Sequence, residues 1–276
     1  MGRSASSVAQ APAVSRPLLT TALAAAEAAA EMQRHWIGRV DAAQVSEKGA
    51  RDFVSRADLE AQQAALEVIR RHHPDHAVLA EEGEAARTRP TAGALWVIDP
   101  IDGTTNFLHG HPMYAISVAV LEDGSPAAAV VIAPATGERW WAIQGGGAFK
   151  NGRRVRVSAA TGIRTALIGT GFPFKAIHLL PDYLGQLGRV IQGSAGARRA
   201  GSAALDLAYL ASGQLDAFWE LDLSPWDYMA GVLLIREAGG VVSRVDGSPV
   251  GLETGSVLAA ANPGLAEQLR QLVERS

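Results

Sequence analysis

Residues 96 to 107 read Trp-Val-Ile-Asp-Pro-Ile-Asp-Gly-Thr-Thr-Asn-Phe, and no other stretch limits the fold so strongly. An apolar run over residues 94 to 98 leads straight into Asp99 and reads as a strand. Pro100 fixes φ and biases Asp99 away from helix. Gly103 lets the backbone turn sharply after Asp102. Two carboxylates therefore leave the end of one strand close together. Buried at that spacing they repel each other and rise in pKa unless a cation lies between them. A hard divalent metal, which prefers oxygen ligands, meets that need. Thr104 and Thr105 then set hydroxyls beside it. The bland alternative is a turn, where acids are common, but the flanking Pro, Gly and Thr add constraints that a plain turn does not need.

The chain has 276 residues, enough for one large domain or two packed subdomains of roughly 100–150 residues. A formal net charge of −3 argues against broad electrostatic binding to nucleic acid or anionic membranes. The absence of cysteine excludes disulfides, thiolate metal sites and cysteine nucleophiles, and fits a cytoplasmic protein. No apolar stretch reaches the roughly 18–20 residues of a membrane span. Residues 1–16 are small, polar and acid-free, and are expected to be a disordered tail rather than a targeting segment.

Hydropathy patterning predicts helices over residues 17 to 40 and 58 to 71, with a polar loop around residues 46 to 51 between them. Strands follow at 77 to 80, 95 to 98, 115 to 121, 127 to 133 and 138 to 143. Asn151-Gly152 between alternating residues is a hairpin signal. Residues 17–160 thus read as an N-terminal α+β subdomain with the metal motif on a largely antiparallel sheet. Residues 161–276 alternate strand and helix, as in a layered α/β subdomain that completes the site. Its helices are expected near 180 to 191, from 203 to 210 behind Ser202 as N-cap, from 225 to 238, and after Asn262-Pro263. Its strands are expected at 166 to 170, 215 to 220, 241 to 245 and 256 to 260.

Other chemistries fit less well. Haloacid-dehalogenase-type phosphatases place one residue between their two aspartates, and here two intervene. Gly145-Gly146-Gly147 lacks the Gly-Lys-Ser/Thr ending of a phosphate loop. His72, His73 and His76, broken by Pro74, and the pair His109 and His111 read as surface or packing residues rather than zinc ligands. Arg198-Arg199 fits a phosphate contact or a solvated surface pair equally well.

The motifs together resemble the inositol monophosphatase family of metal-dependent phosphatases, from about residue 17 to the C-terminus. The resemblance rests on Asp99-Pro-Ile-Asp102-Gly-Thr-Thr, on Trp226-Asp227 with Glu237-Ala-Gly-Gly downstream, on Glu81-Glu82 upstream, and on Val54-Ser55-Arg56-Ala57-Asp58, where serine replaces a usual threonine. It implies a layered α-β-α-β sandwich of the metal-dependent sugar phosphatase type, a homodimer, and two to three Mg2+ ions. Glu81, Asp99 and the Ile101 carbonyl would hold the first ion. Asp99, Asp102 and Asp227 would hold the second, with Asp99 bridging, and Glu81 with water a weaker third. Thr104, hydrogen-bonded to Asp58, would help Glu81 orient the attacking water. Gly103 and Thr104 would meet the phosphate. Asp102, Gly201, Ser202, Ala203 and Glu220 would contact the substrate, the last four at sugar or cyclitol hydroxyls. The loop around Lys48 departs from the family in length and carries no role.

The activity so implied is hydrolysis of myo-inositol 1-phosphate, with lithium sensitivity. Histidinol phosphate, fructose 1,6-bisphosphate and nucleotide phosphates are alternative substrates. Glu220 favours a polyol, because a carboxylate accepts hydrogen bonds from neighbouring hydroxyls. A regulatory binding protein of transcription machinery or RNA is the alternative of another class.

Overall fold

Small side chains decide the outermost layer. In the computed structural model, which describes residues 15–40, 45–49, 52–83 and 93–274, helix α1 (Ser15–Trp36) buries Ala22, Ala25, Ala26 and Ala29. Helix α2 (Arg56–His72) buries Ala57, Ala61, Ala65 and Ile69 on the matching helical spacing. Alanine on both faces allows the two axes to approach closely. Together they cover Trp96, Ile98, Ile116, Val118, Val130 and Ile132 of a seven-stranded sheet.

That sheet runs in chain order through β3 (Ala77–Ala80), β4 (Ala94–Asp102), β5 (Ala115–Glu122), β6 (Ser125–Ala133), β7 (Glu138–Ile143), β8 (Gly147–Lys150) and β9 (Arg153–Val155). Only the β3–β4 pair is parallel. β8 and β9 meet at Asn151-Gly152, both with positive φ, as the Asn-Gly signal predicts. Alternate residues of the sheet, including Leu95, Val97, Ala119 and Leu121, face away from α1 and α2. They pack on two central helices, α5 (Ala203–Ala211) and α6 (Pro225–Glu237).

The central helices rest in turn on Phe218, Val257 and Ala259 of a five-stranded sheet. Its order is β11 (Gly196–Arg198), β10 (Leu167–Thr170), β12 (Ala217–Leu223), β14 (Gly255–Ala260) and β13 (Val241–Ser243). Its other face, with Ile168, Ala217, Trp219, Leu258 and Ala260, is closed by α4 (Leu180–Gly193) and α7 (Pro263–Val273). The expected α-β-α-β layering is therefore present, with α4 and α7 covering the last sheet.

Three local expectations need correction. The segment read as a polar loop around residues 46 to 51 contains an antiparallel pair, β1 (Val45–Gly49) with β2 (Asp52–Ser55), irregular between Glu47 and Gly49. A local hairpin has formed here in a sequence without alternation. The first helix starts at Ser15 and ends at Trp36, because Gly38 with φ 69° breaks its C-terminal turn. Of the tail expected over residues 1–16, only Ser15 and Arg16 are described, and they open α1; residues 1–14 lie outside the described residues. Among the described residues no helix is long and apolar enough to cross a membrane.

Candidate metal centre

Strand β4 ends in the metal motif because its pairing with β5 breaks there. Asp99 still pairs with Ser117, and the register slips before Asp102 meets Ala115. Such a bulge re-aims side chains at the sheet edge. Asp99 is 2 % exposed, and its carboxylate accepts the Ile101 N–H at 2.9 Å. Asp102 is also buried and accepts the Ser202 hydroxyl and the Ala204 N–H. Gly103 then turns with φ +92°, and a Cβ there would lie 3.0 Å from the carbonyls of Gly201 and Met113. The short helix α3 (Thr104–Leu108) follows at once.

Asp227 arrives from the first turn of α6, where Pro225 opens the helix and the Ser224 N–H bonds the Asp227 carboxylate at 2.7 Å. The Asp99, Asp102 and Asp227 carboxylates place oxygens within 4.8 Å of one another. Burial and the neighbouring Glu81, Asp102 and Asp227 carboxylates push Asp99 well above the usual carboxylate range. Burial pushes Asp102 up to about 6, although the Ser202 and Ala204 hydrogen bonds oppose it. Burial, with Asp102 and Glu81 beside it, pushes Asp227 up to about 8. Three hard oxygen donors in this mutual repulsion are a fitting set for a divalent cation.

Glu81 follows β3 on the same edge. Its N–H bonds the Ile98 carbonyl at 3.2 Å. The Gln62 amide of α2 holds the backbone of the next residue, Glu82, on both sides. Glu81 forms an ion pair at 3.5 Å with Lys175, a residue the sequence reading left aside. Lys175 follows the Gly171-Phe172-Pro173-Phe174 turn after β10, so the pair crosses from one sheet to the other.

Thr104 and Asp58 stand together as the motif implied. The Thr104 hydroxyl lies 3.2 Å from the Asp58 carboxylate and 3.1 Å from the Ile101 carbonyl, and its one proton serves one of them at a time. Asp58 is fixed by the N-cap of α2, where the Ser55 N–H and hydroxyl both bond it, at 2.8 and 2.6 Å. Burial raises its pKa, and the Ser55 hydrogen bonds offset part of the rise.

These residues line a cavity of about 280 Å³ between the two sheets. Glu81, Asp99, Ile101, Asp102, Gly103, Thr104, Gly201, Ser202, Ala203, Glu220 and Asp227 all reach it, and Asp58 stands behind Thr104. Glu220 sits on β12 just before a slip in its pairing with β14, in the space that a Cβ on Gly171 would fill. Burial, then Asp206, raises its pKa well above the usual range.

The cavity also holds Asp206, which the sequence did not single out, and one of the two arginines left open there. Asp206 of α5 lines it. Arg199 lines it with its guanidinium 5.0 and 5.1 Å from the Phe172 and Phe174 rings, whereas Arg198 bonds the Ala197 carbonyl away from it. The glycine-rich stretch turns its N–H groups to a side chain of the protein: those of Gly145 and Gly147 bind the Glu237 carboxylate, each at 2.7 Å. His73 and His76 stack at 4.5 Å, and His76 accepts the Trp96 indole N–H. His109 and His111 are exposed.

Comparison with known proteins agrees with this geometry. The model of the inositol monophosphatase family matches residues 15–276. The chain is 46 % identical over 247 residues to the Nus factor SuhB of Pseudomonas aeruginosa, covering 88 % of this chain and 91 % of that protein. It is 47 % identical over 239 residues to the inositol-1-monophosphatase of Rhizobium meliloti, covering 86 % and 89 %. The crystal structure of the extragenic suppressor protein suhB from Bartonella henselae superposes with a TM-score of 0.88 at 36 % identity, covering 94 % of this chain and 99 % of that one. The layered fold, the acidic cluster and these similarities lead to one assignment: the chain belongs to the inositol monophosphatase family, which is metal-dependent.

Proposed function

We propose that the protein is a Mg2+-dependent phosphomonoesterase that hydrolyses myo-inositol 1-phosphate to inositol and phosphate by attack of water. The observation that carries this reading is the convergence of Asp99, Asp102 and the half-buried Asp227 within 4.8 Å of one another. Glu81, Asp99 and the Ile101 carbonyl would hold one ion, and Asp99, Asp102 and Asp227 a second, with Glu81 and water serving a weaker third. Bound Mg2+ supplies charge neutralisation on phosphate and leaving oxygen and lowers the pKa of the attacking water.

The chain's own residues do the rest. With its proton given to ionised Asp58, the Thr104 oxygen keeps lone pairs that accept from the attacking water. The Glu81 carboxylate is the other acceptor, and together they aim the water's lone pair at phosphorus. Gly103 and Thr104 face the phosphate. Gly201, Ser202, Ala203 and Glu220 face the leaving alcohol, and Asp102 stands between the two. Residues 17–160 then supply the metal motif and residues 161–276 the alcohol side. A cytoplasmic homodimer inhibited by lithium completes the reading.

A panel with Mg2+ tests it, comparing kcat/KM for inositol phosphates, histidinol phosphate, fructose 1,6-bisphosphate and adenosine bisphosphate. Inositol 1-phosphate should lead, and a clear preference for another ester would reassign the substrate. The name Nus factor, carried by relatives 41–46 % identical, favours a second reading, a regulatory binding protein. Absence of turnover across the whole panel would leave that reading in place of the first.

A further inference from the structure

Asp206 stands out among the buried acids of the cavity. Asp58, Asp102 and Asp227 each accept hydrogen bonds from backbone N–H or hydroxyl groups. Asp206 is 2 % exposed, lines the cavity, and accepts no hydrogen bond from any described residue. A buried, unpaired carboxylate is destabilising. An acid in the first turn of a helix gains from the helix dipole, but a solvated one gains that without burial. Ser202 already caps α5, accepting the Leu205 N–H at 3.3 Å. The fold therefore gains nothing evident from this side chain.

Its surroundings point to a ligand. Asp206 does not belong to the group of three acids that converge for a metal. It lies instead beside Glu220. The Cβ of Asp206 is 3.6 Å from the place a Cβ would take on Gly169, and the Glu220 carboxylate occupies the corresponding space at Gly171. Residues two apart on an extended chain face the same side, so both acids lie over one face of the β10 end. Glu220 likewise accepts no hydrogen bond from a described residue, and Arg199 is the cation that acts on both. Two unfilled acceptors beside one fixed donor suit a group that both donates and accepts. Hydroxyls do so, and an ammonium does not.

We propose that Asp206 is a specificity-determining residue that, beside Glu220 and Arg199, reads a hydroxyl of the leaving alcohol. This rests on the phosphatase reading above and extends it to a residue outside the family motifs quoted for this chain.

The test compares wild type, Asp206→Asn and Asp206→Ala on inositol 1-phosphate, on inositol 1-phosphates lacking one hydroxyl each, on histidinol phosphate and on para-nitrophenyl phosphate. The ratio of kcat/KM for inositol 1-phosphate to that for para-nitrophenyl phosphate should fall about ten- to a hundredfold in the variants. At least one deoxy analogue should be turned over equally by wild type and Asp206→Asn, which identifies the hydroxyl read. Thermal stability should stay level or rise, because an unpaired buried charge is removed. Equal losses on all substrates with a lower Tm would make Asp206 structural and overturn the inference. A selective loss on histidinol phosphate would mean that the pair reads an amine, and would overturn it too. Wild-type protein that cleaves para-nitrophenyl phosphate but no polyol ester would instead bring down the substrate reading itself, visible without any variant.

Discussion

The two walls of the cavity are built on opposite terms. On the metal-motif wall every aspartate is held by a donor: Ile101 for Asp99, Ser202 and Ala204 for Asp102, Ser224 for Asp227, Ser55 for Asp58. On the facing wall Asp206 and Glu220 accept no hydrogen bond from a described residue, and Arg199 rests against two phenylalanine rings. A reaction that must handle phosphate charge needs one fixed geometry, prepared before substrate arrives. A wall that recognises an alcohol can leave its acceptors open until the alcohol fills them. Preorganisation is thus concentrated where charge develops.

The most direct way to break this contrast is Asp99→Asn, which keeps the shape and removes the charge proposed to bridge two ions. Its loss of kcat/KM on inositol 1-phosphate should exceed that of any other single ligand change. It should also exceed the roughly 10–100-fold that follows from disturbing only a ligand's hydrogen-bond partner. Near wild-type kcat in Asp99→Asn would remove the bridging role. Ser202→Ala measures the smaller effect, since Ala204 still holds Asp102. It should weaken Mg2+ affinity by about tenfold, so that activity needs about tenfold more Mg2+. No change in the Mg2+ titration would mean that the Ser202 hydroxyl serves only the cap of α5.

The held wall was the legible one, and for a physical reason. Its residues lie within local motifs, where proline, glycine and capping chemistry act over three or four positions: Asp99 to Thr104, Ser224 to Asp227, Ser55 to Asp58. The alternating strands of the larger sheet were legible on the same ground. The open wall depends on contacts between distant segments. Asp206 looks like any acid near a helix start until α5 packs over β10, and Lys175 meets Glu81 only across the two sheets. The three-residue strand β11 forms solely by pairing with β10 and has no pattern of its own. Arg199 was separable from Arg198 only once Phe172 and Phe174 closed beside it.

On the open wall Glu220→Gln keeps size and loses charge. A hydrogen bond to a charged group contributes roughly 1.5–3 kcal/mol, so the preference for inositol 1-phosphate over para-nitrophenyl phosphate should fall by about ten- to a hundredfold. Equal losses on both esters would assign Glu220 to the metal wall or to the fold, and the contrast between the walls would fail there.

The smallest effect is on stability, and its sign follows from the raised pKa values. Asp102 at about 6 and Asp227 at about 8 both lie above the ordinary 3.8. Below 3.8 folded and unfolded chains are both protonated and the groups contribute nothing. As pH rises, the unfolded chain releases its protons first while the native acids hold theirs. The unfolded state then binds fewer protons, so native stability falls through the window up to about 8. A divalent cation that binds only the ionised native site opposes this, and more strongly at higher pH. In chelator the Tm should therefore drop by a few degrees between about pH 5 and about pH 8, and Mg2+ should remove most of the drop. Asp206, Glu220 and Asp58 shift in the same direction but lie outside the converging three, so all three contribute to the slope that survives saturating Mg2+. Asp206→Asn should reduce that remainder. A Tm independent of pH in chelator would show that the three aspartates do not strain the fold, and a remainder untouched by Asp206→Asn would show that the open wall stores no unpaired charge.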